Sequence, residues 1–530
     1  MAKASTDGST TGLSGTFDPR SWQAETRSSG DVPALTLLFH PDCRRVGEWT
    51  ALSEIPLGRE TLVSRHSPEL TPPGQILGRP LEERHISRQP LRFQPAPNRG
   101  ILLAQGESRT RVKIGGELLD GHRLVSADEL EQGVVLELSG CVVLLLHWRR
   151  SQPAEPAGRL GLIGESDKLA AVRWDVRRVA DLDVPVLLRG ETGTGKELVA
   201  RAIHEAGPRR SGPFVAVNLG AIPSTLVASE LFGSVRGAFT GSVQSQEGYF
   251  RRALGGTLFL DEVGEAPPEV QVMLLRVLET REIHPVGSQA PQRVDVRVLA
   301  ATDADLEASV QAGQFRAPLL HRLAGYEIWT PPLRQRREDV GRLLVHFLHQ
   351  ELQATGELQR LAAETWVPAP LVARLARYDW PGNVRQLRNV VRQLVIGSRG
   401  LPYLEAGPAV ERLLQNEAAV LESGAPPRAE AEAVPAPRRK PSEVGEDELA
   451  AALRAHRWDL QATADALRIS RPSLYALIES SPNIRKAGDL TTDEIALCFK
   501  ECAGDVEAMV DRLEVSRKAL SRRLRELKLG

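Results

Sequence analysis

Only four cysteines occur in 530 residues, Cys43, Cys141, Cys498 and Cys502, too few and too scattered for a disulfide framework. Cys498 and Cys502 stand one helical turn apart, yet no other Cys or His pair nearby completes a zinc site, so they read as small helix residues. Long apolar runs are missing too. The longest, 141–146, is far shorter than the ~20 residues a membrane span needs. Residues 1–30 are rich in Ser, Thr and Gly and hold no apolar signal-peptide segment, so a soluble, cytoplasmic protein with no membrane partner is expected. Net charge is almost absent, −1 overall, which argues against wholesale coating of nucleic acid. The balance is uneven along the chain, with 516–528 strongly basic and much of 404–448 acidic.

What is present is core material. Apolar residues make up 42% of the chain, and the length points to about three or four domains. Residues 1–32 read as a disordered leader. Between 33 and 148, short β-type runs at 34–40, 85–94, 100–103, 111–114, 134–138 and 141–148 alternate with turn residues, which predicts a β-sandwich. Residues 149–159 form a linker. From 160 to 330 buried-strand and helical patterns alternate, as in a mainly parallel α/β sheet. Residues 331–403 are helical, and 404–445, rich in Ala, Glu and Pro, is a tether after one last helix. The C-terminal part repeats itself: Asp447-Glu448-Leu449 aligns with Asp493-Glu494-Ile495 at an offset of 46 (493 − 447), and Ile469-Ser470-Arg471 then meets Val515-Ser516-Arg517. Each copy, 446–482 and 490–530, reads as a helix, a short turn and a second helix opened by a Ser N-cap.

Gly190-Glu191-Thr192-Gly193-Thr194-Gly195-Lys196 follows an apolar strand at 184–188 and opens a helix at 197–206, the setting a phosphate-binding loop requires. Loop amides and the helix N-terminus would cradle phosphate oxygens, with Lys196 reaching the β and γ phosphates of ATP. Glu197 stands where the general pattern has Ser or Thr for magnesium. Residues 256–262 form an apolar strand ending in Asp261 and Glu262. Asp261 would hold Mg2+ directly or through water, and Glu262 would orient and polarise the attacking water. A solvated acidic strand end is the plain alternative; following a phosphate loop at domain-scale spacing, the segment points to a nucleotide hydrolase. Between the two motifs lies Gly237-Ala238-Phe239-Thr240-Gly241-Ser242, a Phe-Thr tip between glycine hinges, which makes sense if it touches a partner.

These motifs together resemble the AAA+ domain of bacterial enhancer-binding proteins, the activators of sigma-54 RNA polymerase, across residues 160–400. That family's phosphate loop ends in Lys-Glu, as Lys196-Glu197 does, and its sigma-contacting loop reads GAFTGA, matched by 237–242 except at Ser242. The resemblance implies that Asn218 holds the catalytic Glu in an inactive pose, that 274–278 and 281–287 support the contact loop, and that Asp303 stands at the sensor I position, where Asn is usual. It implies arginine fingers at Arg316 and Arg322, with Pro318 replacing an Asp, that reach a neighbouring subunit's nucleotide in a hexameric ring. It also makes Arg385, in Trp380-Pro381-Gly382-Asn383-Val384-Arg385, the sensor II contact from a helical lid.

The C-terminal repeats resemble the Fis-type helix-turn-helix of the same family. In the second, Leu520, Leu524 and Leu527 form a core stripe, and at about 100° per residue Lys518, Ser521, Arg522 and Arg525 face away from it. With Arg517 they form the basic surface expected to bind upstream enhancer DNA, while the first copy, which has Pro472, Ala476 and Glu479 there, is expected to pack or dimerise. Residues 33–148 resemble a forkhead-associated (FHA) phosphothreonine-binding sandwich through Gly58-Arg59, or the rival Gly78-Arg79, and Ser87-Arg88, with Thr110 at a loop position where Asn is usual. A phosphothreonine protein or a Ser/Thr kinase is the partner this implies, and a sandwich used only for subunit or kinase docking is the alternative. No acidic-pocket βα pattern supports a receiver domain. The expected architecture is thus multidomain: an FHA-like β-sandwich, an α/β AAA+ P-loop ATPase with a helical lid, and an all-α tandem helix-turn-helix. Its expected function is ATP-driven remodelling of the sigma-54 closed complex. Two rivals stand beside it: a DNA-binding regulator whose ring binds nucleotide without remodelling sigma-54, and a general AAA+ chaperone, which the DNA-reading end and the Phe-Thr loop argue against.

Overall fold

A computed structural model describes residues 31–150, 158–237, 245–288, 290–362, 366–422 and 444–456, and scattered positions from 458 to 527. The chain divides into two units, Met1–Ala419 and Val420–Gly530.

The first unit opens with β1 (Asp31–Phe39), β2 (Trp49–Ala51), β3 (Thr61–Val63), β4 (Leu91–Pro95), β5 (Ile101–Ala104), β6 (Val112–Ile114), β7 (Glu117–Leu118), β8 (His122–Val125), helix α1 (Ala127–Gln132), β9 (Val134–Leu138) and β10 (Val142–Arg150). They form two antiparallel sheets, ordered β2–β1–β10–β9–β6–β7 and β3–β4–β5–β8, so the expected sandwich is present. One expected strand is corrected: 85–94 shrinks to β4, because Ile86 turns back onto Glu83 O and Pro90 offers no N–H to a ladder.

The apolar run in β10 has an explanation that periodicity alone does not supply. Val142, Leu144 and Leu146 face the sandwich core with Leu35, Leu37, Phe93 and Leu103. Val143 and Leu145 face the other way and join Leu38, Phe39 and Val135 in a cluster with the helical lid described below. Both faces of this sheet are covered, so its central strands read as continuous apolar segments rather than alternating ones.

An α/β layer follows, with α2 (Asp167–Ala180), β11 (Val186–Arg189), α3 (Lys196–Ala206), β12 (Phe214–Asn218), α4 (Ser224–Phe232), α5 (Tyr249–Arg252), β13 (Thr257–Asp261), α6 (Pro268–Thr280), β14 (Glu282–Ile283), β15 (Gln292–Arg293), β16 (Arg297–Thr302), α7 (Leu306–Gln311), α8 (Ala317–Leu323) and β17 (Tyr326–Trp329). Five strands make a parallel sheet in the order β12–β13–β16–β11–β17, with separate apolar clusters against it: one around Leu187, Leu258 and Leu260, the other around Val186, Leu188 and Phe259. The lid comprises α9 (Val340–Thr355), α10 (Ala369–Arg377) and α11 (Asn383–Gly397), followed by α12 (Pro408–Glu422).

The lid touches the sandwich closely. Gly341 on α9 lies against β1, where a Cβ would sit 2.2 Å from Leu38 O. Asp339, just before α9, accepts from Glu165 N (2.6 Å), Ser166 N (3.0 Å) and Ser166 Oγ (2.6 Å) at the entry to α2. Arg342 donates to Glu165 Oε1 at 3.1 Å, and Arg149 of β10 to Glu165 O at 3.2 Å. Sandwich, α2 entry and lid therefore meet at one polar seam beside one apolar cluster.

In the second unit, α13 (Glu446–Ala455) and α14 (Thr492–Glu501) have bounds separated by 46 residues at both ends (492 − 446 and 501 − 455), the repeat offset of the sequence; α15 (Val506–Leu513) follows. Equivalent positions of both copies share a core: Leu449 with Ile495, Ile469 with Val515, and Leu474 with Leu520 are all buried in it. Leu524 is buried there and Leu527 packs against it, as the core stripe requires. Arg517, Lys518, Ser521, Arg522 and Arg525 lie outside the described residues. Among the described residues, no helix is long and apolar enough to cross a membrane.

Candidate nucleotide site

The loop 190–195 leaves the C-terminal end of β11 and turns into α3. Arg189, nearly buried, locks the strand end by a bidentate pair to Glu307 (2.7 and 2.7 Å) and a bond to Glu327 (3.0 Å). Two loop glycines are forced by sterics. At Gly190 (φ 143°) a Cβ would stand 2.2 Å from Thr330 Oγ1, and at Gly193 (φ 79°) it would stand 2.4 Å from Gly382 O. Thr194 Oγ1 donates to Glu191 O at 2.8 Å and shares a bond with Thr330 Oγ1 at 2.8 Å.

Lys196 Nζ donates to Gly190 O at 2.6 Å and Glu191 O at 3.3 Å. Burial pulls its pKa below the usual lysine value, while Asp303, Asp261 and Glu262 act in the opposite sense and Arg385 reinforces the fall. The fold thus brings Lys196, Asp261, Glu262, Asp303 and Arg385 into one electrostatic neighbourhood. Burial likewise raises the Asp261 carboxyl, offset in part by the Glu262 N–H (3.1 Å) and by Lys196. A half-buried carboxylate facing a lysine suits a divalent cation, which would supply the missing positive charge, so the donor set fits magnesium.

Asn218 and Asp261 are paired neighbours on β12 and β13. Asn218 Oδ1 caps the following turn by accepting from Ala221 N at 3.1 Å, and the Glu262 carboxylate lies over Gly220, where a Cβ would sit 2.3 Å from Oε2. Glu262 itself has φ 54° and ψ 47°. Asp303 Oδ2 accepts a hydrogen bond from Thr192 Oγ1, which ties the residue following β16 to the loop 190–195 through side chains. Glu197 is exposed on α3 and pairs with Arg201 at 3.5 Å.

One expected ligand is engaged elsewhere. The Glu191 side chain is gripped by Arg334 (2.7 Å to Oε2, with a second bond to Oε1) and by Asn383 Nδ2 (3.1 Å), and the Arg334 hydrogen bond holds its pKa below the usual carboxylate value. Asn383 also donates to Thr192 O (3.0 Å) and accepts from Leu333 N (2.7 Å). Gly193 O accepts from Val384 N at 3.0 Å. The loop is therefore stapled to the lid through Arg334 and Asn383, which sequence reasoning missed; a lone Arg among 67 basic residues carries no signal of its own.

Arg316 precedes α8 as its N-cap and Arg322 lies in its last turn, both with exposed side chains. Arg316 N donates to Gln271 Oε1 at 2.9 Å and Arg322 pairs with Glu279 at 3.5 Å. Pro318 falls in the first turn of α8, where a missing N–H costs the helix nothing.

Of the loop 237–242, only Gly237 lies within the described residues; Ala238, Phe239, Thr240, Gly241 and Ser242 do not. Its base is tightly pinned. Ser234, buried, exchanges backbone bonds with Gln246 (3.0 and 2.9 Å), Val235 N donates to Val286 O (3.1 Å), and Val286 N to Gly233 O (2.8 Å). Val286, within the segment 281–287, is thus bonded to the segment that leads into the loop. On the sandwich, Ser87 N donates to Thr110 Oγ1 at 2.9 Å, Arg88 is exposed, and Arg59 pairs with Glu54 at 2.8 Å while the rival Arg79 pairs with Glu48 at 2.8 Å.

Comparison with known proteins places this site within a recognised region. Residues 162–329 match the family model described as Sigma-54 interaction domain, and residues 334–406 match that of the AAA+ ATPase lid domain. The DNA-binding transcriptional regulator NtrC of Azospirillum brasilense is 48% identical over 236 residues, 44% of this chain and 48% of NtrC. The C4-dicarboxylate transport transcriptional regulatory protein DctD of Rhizobium meliloti is 40% identical over 334 residues, covering 62% of this chain and 65% of DctD. A solved structure of NtrX from Brucella abortus in complex with ATP aligns at 33% identity and a TM-score of 0.44, over 60% of this chain and 69% of that one. The chain spans about half the length of NtrC. Residues 162–329, with the lid at 334–406, are a AAA+ ATPase module of the sigma-54 interaction type.

Proposed function

We propose that this protein is a sigma-54-dependent transcription activator, a ring-forming ATPase that remodels the sigma-54 RNA polymerase closed complex while bound to upstream DNA. The observation that carries this reading is the match of residues 162–329, which hold the loop at Lys196 and the strand ending in Asp261-Glu262, to the Sigma-54 interaction domain. Loop amides and Lys196 would hold the ATP phosphates, and Asp261 would hold Mg2+, which supplies charge neutralisation at the reacting phosphate. Glu262 would take the proton of the attacking water, with Asn218 restraining it beforehand. Arg385 would touch nucleotide from the lid, and Arg316 and Arg322 would act on a neighbouring subunit's site. The staple of Glu191 to Arg334 and Asn383 would carry loop movement to the lid, and the pinned base at 233–235 would carry strand movement to Phe239 and Thr240.

The C-terminal repeat with Arg517, Lys518, Ser521, Arg522 and Arg525 would read enhancer DNA, and the FHA-like sandwich would take input from a phosphothreonine protein or Ser/Thr kinase. A second reading is favoured by one observation, the Asp303 carboxylate bonded to Thr192 at the phosphate loop. Its negative charge opposes the γ-phosphate and suits a regulator that binds nucleotide without remodelling sigma-54. One experiment separates the readings: retention of sigma-54 by the purified protein with ADP and a transition-state phosphate mimic. Retention is expected; intact ATPase activity without retention would leave only the second reading.

A further inference from the structure

At one end of the sandwich, the loop 82–88 meets the turn between β9 and β10, and three donors of different chemistry converge there. Ligand atoms of Glu83, His85 and Cys141 all lie within 4.8 Å of one another. Glu83 Oε1 and His85 Nδ1 are already 2.8 Å apart. Cys141 Sγ donates to Leu138 O at 3.4 Å, and a thiol is a weak donor, so little hydrogen bonding is given up on binding a metal.

Both segments are held by backbone bonds, so the donors are presented on a fixed frame. On the loop side, Ile86 N donates to Glu83 O (3.1 Å), Glu82 N to Arg65 O (2.9 Å) and Arg65 N to Ser87 O (3.1 Å). On the turn side, Ser139 N donates to Arg111 O (2.7 Å) and Cys141 N to Leu138 O (3.0 Å). Tetrahedral zinc bonds to S, N and O place neighbouring ligand atoms about 3.3–3.8 Å apart, a spacing these side chains reach by small rotations. A thiolate and an imidazole exclude the hard cations calcium and magnesium and suit the zinc class. His85 is exposed, which leaves the fourth position open to water or an outside ligand.

We propose that Glu83, His85 and Cys141 form a three-ligand site for a zinc-class divalent metal ion on the N-terminal sandwich. An ion there ties the loop carrying Ser87 and Arg88 to the β9–β10 turn, so metal occupancy sets the geometry of that end of the domain. The site stands independently of the transcription reading, since no residue of the nucleotide site takes part.

The test is cobalt titration of the full-length, tag-free, reduced protein. Cys498→Ser and Cys502→Ser are introduced first, because those two sulfurs lie 3.9 Å apart and would bind soft metals themselves. One equivalent of Co2+ should produce a sulfur-to-cobalt charge-transfer band that zinc abolishes by displacement. Cys141→Ser should remove the band, and His85→Ala, at an exposed position that the core does not need, should weaken binding by at least about tenfold. Absence of the band, or a band that Cys141→Ser and His85→Ala leave unchanged, would overturn the proposal.

Discussion

Glu262 ends its strand in left-handed backbone, a conformation that costs an ordinary side chain on the order of 1–2 kcal/mol and needs a compensating reason. The compensation is placement: the turn aims its carboxylate across Gly220 rather than along the strand, beside Asp261 and within charge reach of Lys196. Glu262→Gln should therefore keep ATP binding while lowering steady-state hydrolysis by about 10²–10⁴-fold; a rate within a fewfold of wild type would remove Glu262 from proton transfer. A second residue makes a stability prediction. His147 is buried, bonded to Thr36 Oγ1 at 2.8 Å, and burial depresses its pKa from 6.5 to about 3. The unfolded chain takes up this proton first as pH falls, so the associated stability is present above pH 6.5 and lost progressively toward pH 3. Thermal midpoints across that window should fall less steeply for His147→Gln than for wild type, and parallel profiles would rule the histidine out. Lys196, Asp261 and Glu262 were legible because their chemistry demands a local pattern. Arg334 and Asn383 were not, because their partners Glu191 and Thr192 are distant in sequence and only folding brings them together.

At the scale of elements, the apolar strand β10 and the helix α9 explain one another. Val143 and Leu145 point away from the sandwich core, and fully burying such side chains contributes roughly 1.5–3 kcal/mol each as an upper figure. Gly341 lets the helix approach closely enough to cover them. Gly341→Ala puts a Cβ into Leu38 O, so the helix must back away, and a loss of about 1–3 kcal/mol is expected. The denaturation midpoint of the first unit measures it; an unchanged midpoint would mean that the two elements do not need this approach. The expected strand 85–94 failed for a local reason, since Pro90 and the turn at 83–86 outweigh an apparent alternation. The repeat succeeded for the opposite reason. Duplicated sequence gives duplicated helices, and α13 and α14 keep the 46-residue offset at both ends.

At the scale of the whole molecule, the proposed ring requires Arg316 and Arg322 to act on a neighbouring subunit's site. Both side chains are exposed; the Arg316 N–H bonds Gln271 and the Arg322 side chain pairs with Glu279, both on α6. Lys196→Ala and Arg316→Ala proteins should each be inactive alone, and mixing them should restore measurable ATP hydrolysis, because one supplies fingers and the other an intact loop. A mixture as inactive as its parts would place the arginines in their own subunit's site. By itself, the sequence determined what rests on short-range pattern: the phosphate loop, the strand ending in Asp261-Glu262, the sandwich's β-rich character and the C-terminal duplication. Each is a periodicity or a spacing written within a few dozen residues. Only the tertiary structure decided that the sandwich sheet shares its outer face with the lid, that Asp339 fastens the entry of α2, and that Glu191 serves the lid as well as the loop. Those contacts join residues more than a hundred positions apart, and nothing in the local order of side chains marks which distant partner will satisfy a buried carboxylate or cover an apolar face.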